Sequence, residues 1–209
     1  MTIMPKTDNT YFVGKLALRE YFLQKYHFEG SLATVRQPLV LDAYHGQGLL
    51  WQELCKKYPC RVIGLDVKPI KGTLKVSNLR YMRHCDLPYD IIDLDAYGEP
   101  WQTWDCVLQR SPQSAITVFL TQCWVGIGGG AVSHLWKSWC GLPLATPNWL
   151  AWRARDYMRQ VALSRCLSKW KVIEAKQVME KNVLGSPSRH WYIGLRLVRG
   201  PNDATDLSA

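Results

Sequence analysis

The chain has 209 residues, 47% of them hydrophobic and 21% charged, with ten tryptophans and ten tyrosines. That is enough apolar surface for one packed core, and too much for a disordered or collagen-like chain. Its 26 Lys and Arg against 17 Asp and Glu leave a formal charge of +9, concentrated after residue 104, so an anionic partner is expected to meet the C-terminal half.

Tyr11–Phe28 carries apolar side chains at helical spacing, Phe12, Leu16, Phe22 and Tyr26 among them. Pro38–Leu41 is a short buried strand closed by Asp42, after which Gly46 and Gly48 turn the chain into a helix over Leu49–Lys57, stopped near Pro59. Arg61–Leu65 predicts the second strand, ending at Asp66; the third is placed at Leu79–His84 and the fourth at Asp90–Leu94. The segment Trp101–Arg110 leads to another buried strand, Ala115–Leu120. Asn148 is placed to cap a helix running from Trp149 toward Lys169. Two long strands then follow, Lys171–Met179 and His190–Val198, joined by the turn-forming Asn182–Ser188. Strands separated by glycine turns, helices or polar loops predict a mostly parallel sheet with helices on both faces, and the terminal hairpin adds an antiparallel strand. Residues 1–200 read as one domain and 201–209 as a polar tail.

The cysteines, 55, 60, 85, 106, 123, 140 and 166, include no C-x-x-C pair, and Met1–Gly14 holds no apolar run of secretory type. Reduced thiols and a cytoplasmic location are the expectation. The uncharged run Ser111–Trp136 is interrupted by Pro112, Gln113, Gln122, Gly128–Gly130 and His134, which fits a strand and loop better than a membrane span. His84 and Cys85 lack a second pair at ligand spacing, so no metal is expected.

The segment Leu39–Gly48 is a strand, an acid and a glycine turn that opens a helix. Glycines there let backbone approach a ligand beyond the carboxyl ends of parallel strands. Asp66, 18 residues past Gly48, ends the next strand, where a carboxylate accepts both hydroxyls of a ribose. A dinucleotide dehydrogenase uses the same two features, but its fingerprint needs a small residue where Trp51 stands. The acid, the G-x-G turn and the terminal hairpin resemble the class I S-adenosylmethionine-dependent methyltransferases, whose fold is a Rossmann-like seven-stranded sheet. The resemblance implies that Asp42, Gly46 and Gly48 line the methionine part of S-adenosylmethionine, that Asp66 holds its ribose, and that Asp86 contacts its adenine amine. Tyr44, two residues before Gly46, looks like the aromatic of the F-x-G-x-G turn found in amino-directed enzymes.

Asp93 and Asp95 lie two apart at the end of the fourth strand and share a face. The sequence Asp93-Leu-Asp95-Ala-Tyr97-Gly98-Glu-Pro100 is similar to the D-P-F-G-S-P motif of the transfer-RNA N2-guanine dimethyltransferases, and more distantly to the D-P-P-Y motif of amino-directed DNA methyltransferases. The resemblance implies that Asp95 and a neighbouring backbone carbonyl accept hydrogen bonds from an exocyclic amine while Tyr97 stacks on the base; Asp93 is a second candidate catalytic acid, because two carboxylates at a strand's end are costly to leave unpaired. Ala96 and Glu99 depart from the motif's proline and serine. Trp101 and Trp104 could add stacking surface, although their i, i+3 spacing favours core packing.

From Lys137 to Arg199, 12 basic residues face 3 acids. Arg155 and Arg159 are i, i+4 neighbours behind Trp149 and Trp152, a pattern suited to a nucleic-acid backbone with exposed bases. Gly126–Gly130 reads either as a lid over the substrate or, equally, as a connection with no catalytic part. Methylation of a nucleic-acid amine, RNA ahead of DNA, is the leading expectation, with sequence choice left to the core, the 126–148 loop or a protein partner. A small-molecule or protein methyltransferase and an inactive nucleic-acid-binding module of the same fold stay open.

Overall fold

The computed structural model describes residues 12–29, 36–68, 72–96, 100–123, 169–181 and 187–200. Among them seven strands form one sheet. They are β1 (Leu39–Asp42), β2 (Arg61–Asp66), β3 (Thr73–Lys75), β4 (Ile91–Leu94), β5 (Ala115–Cys123), β6 (Trp170–Lys181) and β7 (Pro187–Arg199). Their order is β3-β2-β1-β4-β5-β7-β6. The first five pair in parallel, and β7 enters antiparallel between β5 and β6. The terminal hairpin of the sequence reading is therefore present, extended by a few residues at its ends.

Central parallel strands are buried on both faces and so read as continuous apolar runs, each residue serving one face in turn. Val40, Ile91 and Phe119 pack beneath α1 (Phe12–Leu23) and α2 (Leu49–Lys57), against Leu18, Phe22, Trp51 and Leu54. Leu41, Ile92, Leu94 and Val118 pack on the other face, beneath α3 (Asn78–His84) and α4 (Trp101–Arg110), against Met82, Trp101, Trp104 and Val107. The same alternation carries Asp93 and Asp95 onto the α1 side. Helix α1 ends in a single π-turn, Gln24–Phe28.

The third strand is a correction. Residues 79–84, read as a strand, form α3, which starts where the Ser77 side chain accepts the N–H of Arg80 and which buries Met82. The strand itself is Thr73–Lys75, three residues paired to β2 alone. An edge strand this short has one neighbour and needs no apolar alternation, so it leaves no pattern to read. The expected helix from Trp149, the lid at Gly126–Gly130 and residues 182–186 of the expected turn Asn182–Ser188 lie outside the described residues, while Pro187 and Ser188 already belong to β7. Among those described, no helix is long and apolar enough to cross a membrane, and no three His, Cys, Asp or Glu gather as a metal site.

Candidate active site

At the carboxyl ends of β1, β2 and β4 the sequence places an acid on each strand and a glycine turn between them. The turn needs left-handed backbone: Gly46 sits at φ 51° and Gly48 at φ 68°, a region costly to residues with a Cβ. His45 locks the turn to its neighbours. Its backbone N–H donates to the Leu65 carbonyl at 3.1 Å and its Nδ1 lies 2.9 Å from Asp42 Oδ2. Its ring also fills the space over two glycines, since a Cβ would fall 2.3 Å from the imidazole at Gly48 and 2.4 Å from it at Gly64.

Asp42 is 5% exposed and faces His45. Burial drives its carboxyl up; the His45 hydrogen bond opposes this, Asp93 adds to it, and the value settles at about 6. Asp66 is half-buried at the end of β2. Gly46 N–H donates to its Oδ2 at 3.1 Å and Lys68 N–H to its Oδ1 at 2.7 Å. The next residue, Val67, is an apolar side chain left 64% exposed.

The β4 carboxylates are bound to α1. Arg19 donates from Nε to Asp93 Oδ2 and from Nη2 to Asp93 Oδ1, both at 2.7 Å, and the Trp51 indole adds a bond to Oδ2 at 2.9 Å. Both side chains of that ion pair are 1% exposed. Asp95 remains 22% exposed at its side chain. Its Oδ1 accepts from Lys15 Nζ at 2.9 Å and Thr121 Oγ1 at 2.6 Å, its Oδ2 from Lys15 at 2.6 Å. Burial alone would raise the Asp95 carboxyl, but Lys15, Arg19 and these hydrogen bonds outweigh it and hold it below the usual carboxylate range.

The structure does not bring all the expected site residues together. Asp93 shares its face with Asp95 but is sealed between Arg19 and Trp51, a structural ion pair rather than a group open to substrate. Trp101 and Trp104 are 2% and 0% exposed in the core under α4, and no base reaches them without opening that core. Asp86, expected at the cofactor, lies at the opposite end of the sheet. It follows the C-terminus of α3, where Arg110 Nε donates to the Cys85 carbonyl and Leu87 N–H to the Arg110 carbonyl. It is 86% exposed and meets Arg110 at 3.7 Å. Tyr44 turns toward α4, its hydroxyl 3.3 Å from Thr103 Oγ1. Tyr97, Arg155 and Arg159 lie outside the described residues.

Lys15, Arg19, His45, Trp51 and Thr121 were missed by sequence reasoning. The readable signal was Lys15 and Arg19, two cations on the stripe that buries Leu18 and Phe22. Charges inside an apolar stripe require buried partners.

The strand order, the glycine turn after β1 and the acid ending β2 define an α/β fold of the class I methyltransferase type. Among solved structures the chain is similar to Trm1 from Pyrococcus horikoshii in complex with S-adenosyl-L-methionine, at 15% identity and a TM-score of 0.58, over 95% of this chain and 59% of that one. It is also similar to TYW2 from M. jannaschii in complex with AdoMet, at 10% identity and a TM-score of 0.53, over 93% and 80% of the two chains. No family model matches the chain, and no curated protein does. At these identities the likeness is one of fold, and it bears out the Rossmann-like, mostly parallel sheet with its antiparallel C-terminal hairpin.

Proposed function

We propose that this chain is an S-adenosylmethionine-dependent methyltransferase acting on an exocyclic amine of a nucleic-acid base, RNA ahead of DNA. The observation that carries the reading is Asp95: an ionised carboxylate at the end of β4, beside the glycine turn, left part-open while its neighbour Asp93 is sealed. Such a group accepts N–H bonds from an amine and so orients the nitrogen. Ionised and held low, it serves as an acceptor rather than as a strong base.

The residues present fit the cofactor. Among the described residues each oxygen of Asp66 takes one backbone N–H, which leaves an acceptor site for a ribose hydroxyl. Val67 offers apolar surface beside it. The positive-φ glycines keep side chains off the turn, and Asp42 with His45 supports it from below. Bound there, S-adenosylmethionine would supply an electrophilic methyl to the nitrogen that Asp95 orients, the C–S bonding pair leaving on sulfur and the surplus amine proton passing to water. Tyr97 is assigned to stacking on the base, and Arg155 and Arg159 to its phosphates.

The test is transfer of radiolabelled methyl into separate pools of RNA, DNA, protein and small amines at rising salt. Label in one nucleic-acid pool, falling steeply with ionic strength as released counterions require, supports the reading. Label only in protein or metabolites, or a flat salt response, overturns it, and tight RNA binding without turnover identifies an inactive module.

A further inference from the structure

The ion pair between Lys15 and Asp95 is the one feature of the candidate site that a hydrogen-bonding role for Asp95 does not require. A carboxylate has about four acceptor sites. Among the described residues Lys15 takes one on each oxygen and Thr121 a second on Oδ1, leaving one on Oδ2. The lysine is itself placed from several sides. It rises from the buried stripe of α1 with its side chain 7% exposed, and its ammonium lies 5.0 Å from the centroid of the Tyr192 ring of β7. Among the described residues the other charged groups near Asp95 are Arg19 of α1, whose Nη2 is 4.0 Å from Oδ2, Asp93 of β4 and Asp42 of β1. Arg19 is matched by Asp93, as Lys15 is by Asp95.

Resting on the function proposed above, we infer that Lys15 is a positioning and specificity-determining residue: it aims the Asp95 carboxylate and cancels its charge, so that the acceptor position takes a neutral amine and rejects an ammonium ion. A neutral exocyclic amine needs only the remaining acceptor site on Oδ2. An alkylammonium, such as a protein lysine or a polyamine, would have to share that carboxylate with a second cation within hydrogen-bonding distance, in a part-buried site where like charges repel more strongly than in water. The low position of the Asp95 carboxyl agrees with this arrangement, because Lys15 is the largest influence holding it down.

The experiment reads the carboxyl and the selectivity separately. In protein labelled with 13C at aspartate, with D95N to assign the signal, the Asp95 carboxyl is titrated in the parent, K15M and K15R. The same proteins are offered radiolabelled cofactor with an RNA pool and with a lysine-rich peptide. K15M is expected to raise the Asp95 titration by about 1–3 pH units, to move the acid limb of the rate upward with it, and to narrow the preference for RNA over peptide by at least about tenfold. K15R is expected to restore all three. K15Q, which keeps an amide NH2 donor group without the charge, gives the same readouts where K15M does not fold. An Asp95 titration unmoved by loss of the charge overturns the inference, as does an unchanged preference. If the carboxyl moves as expected but the parent methylates no amine at all, Lys15 still positions Asp95, and the proposed function falls together with the selectivity built on it.

Discussion

Arg19 and Asp93 form a buried ion pair whose removal should be felt throughout the fold. Both side chains are 1% exposed, joined by two bonds of 2.7 Å. The guanidinium also donates to the Lys15 carbonyl at 3.1 Å and lies 4.9 Å from the centroid of the Phe119 ring. R19M keeps an apolar side chain on the α1 stripe but deletes the guanidinium and its charge, leaving Asp93 with the Trp51 indole alone among these donors. Removing one partner of a buried pair costs about 3–5 kcal/mol, since the other charge is left uncompensated. For a domain of this size each kcal/mol moves Tm by about 2–4 °C, so the expected fall is roughly 6–20 °C. Urea unfolding of R19M, D93N and R19M/D93N measures it: the double variant no longer strands a charge and should recover a large part of the loss. A change below about 1 kcal/mol in R19M, or a double variant no better than the single, would refute the reasoning.

Other outcomes follow from the same geometry. Asp42, raised to about 6, binds its proton more tightly folded than unfolded. Its contribution to stability is therefore present below the ordinary aspartate range and is lost as pH rises through about 6. A cationic cofactor favours the ionised form, so its affinity, measured by calorimetry, should fall about tenfold from pH 7 to pH 5, and D42N should flatten that dependence. G48A places a Cβ at φ 68° and 2.3 Å from the His45 ring. Cofactor binding should weaken at least about tenfold with a stability loss of about 1–2 kcal/mol, of which H45A relieves the clash but not the backbone strain. W104A should lose about 3–5 kcal/mol by urea unfolding, as a large core truncation does, whereas W104F should retain the parent's substrate affinity. A stacking residue would show the reverse.

The parts legible in the sequence are those whose signal is local. The glycine turn and Asp66 lie within one stretch of chain and need only a strand on each side, and the terminal hairpin alternates over many residues. What was missed depends on distance or on missing pattern. Lys15 and Asp95 are 80 residues apart and Arg19 and Asp93 are 74 apart, so no spacing rule joins them, although two cations on an apolar stripe announced that partners existed. Thr73–Lys75 carries two exposed residues of three and gives no periodicity. Assigning that strand to residues 79–84 moved Asp86 to the wrong end of the sheet. Trp101 and Trp104 satisfied two readings at the same spacing, and only the packing of α4 on the sheet separates them.

The most direct test of the account compares methyl transfer and cofactor affinity in D95A and D66A. If Asp95 receives the substrate amine and Asp66 holds the cofactor's ribose, D95A abolishes transfer into nucleic acid while cofactor affinity stays within a few fold, and D66A loses cofactor affinity itself. Transfer that survives in D95A, or cofactor affinity that collapses in D95A as it does in D66A, would contradict the account.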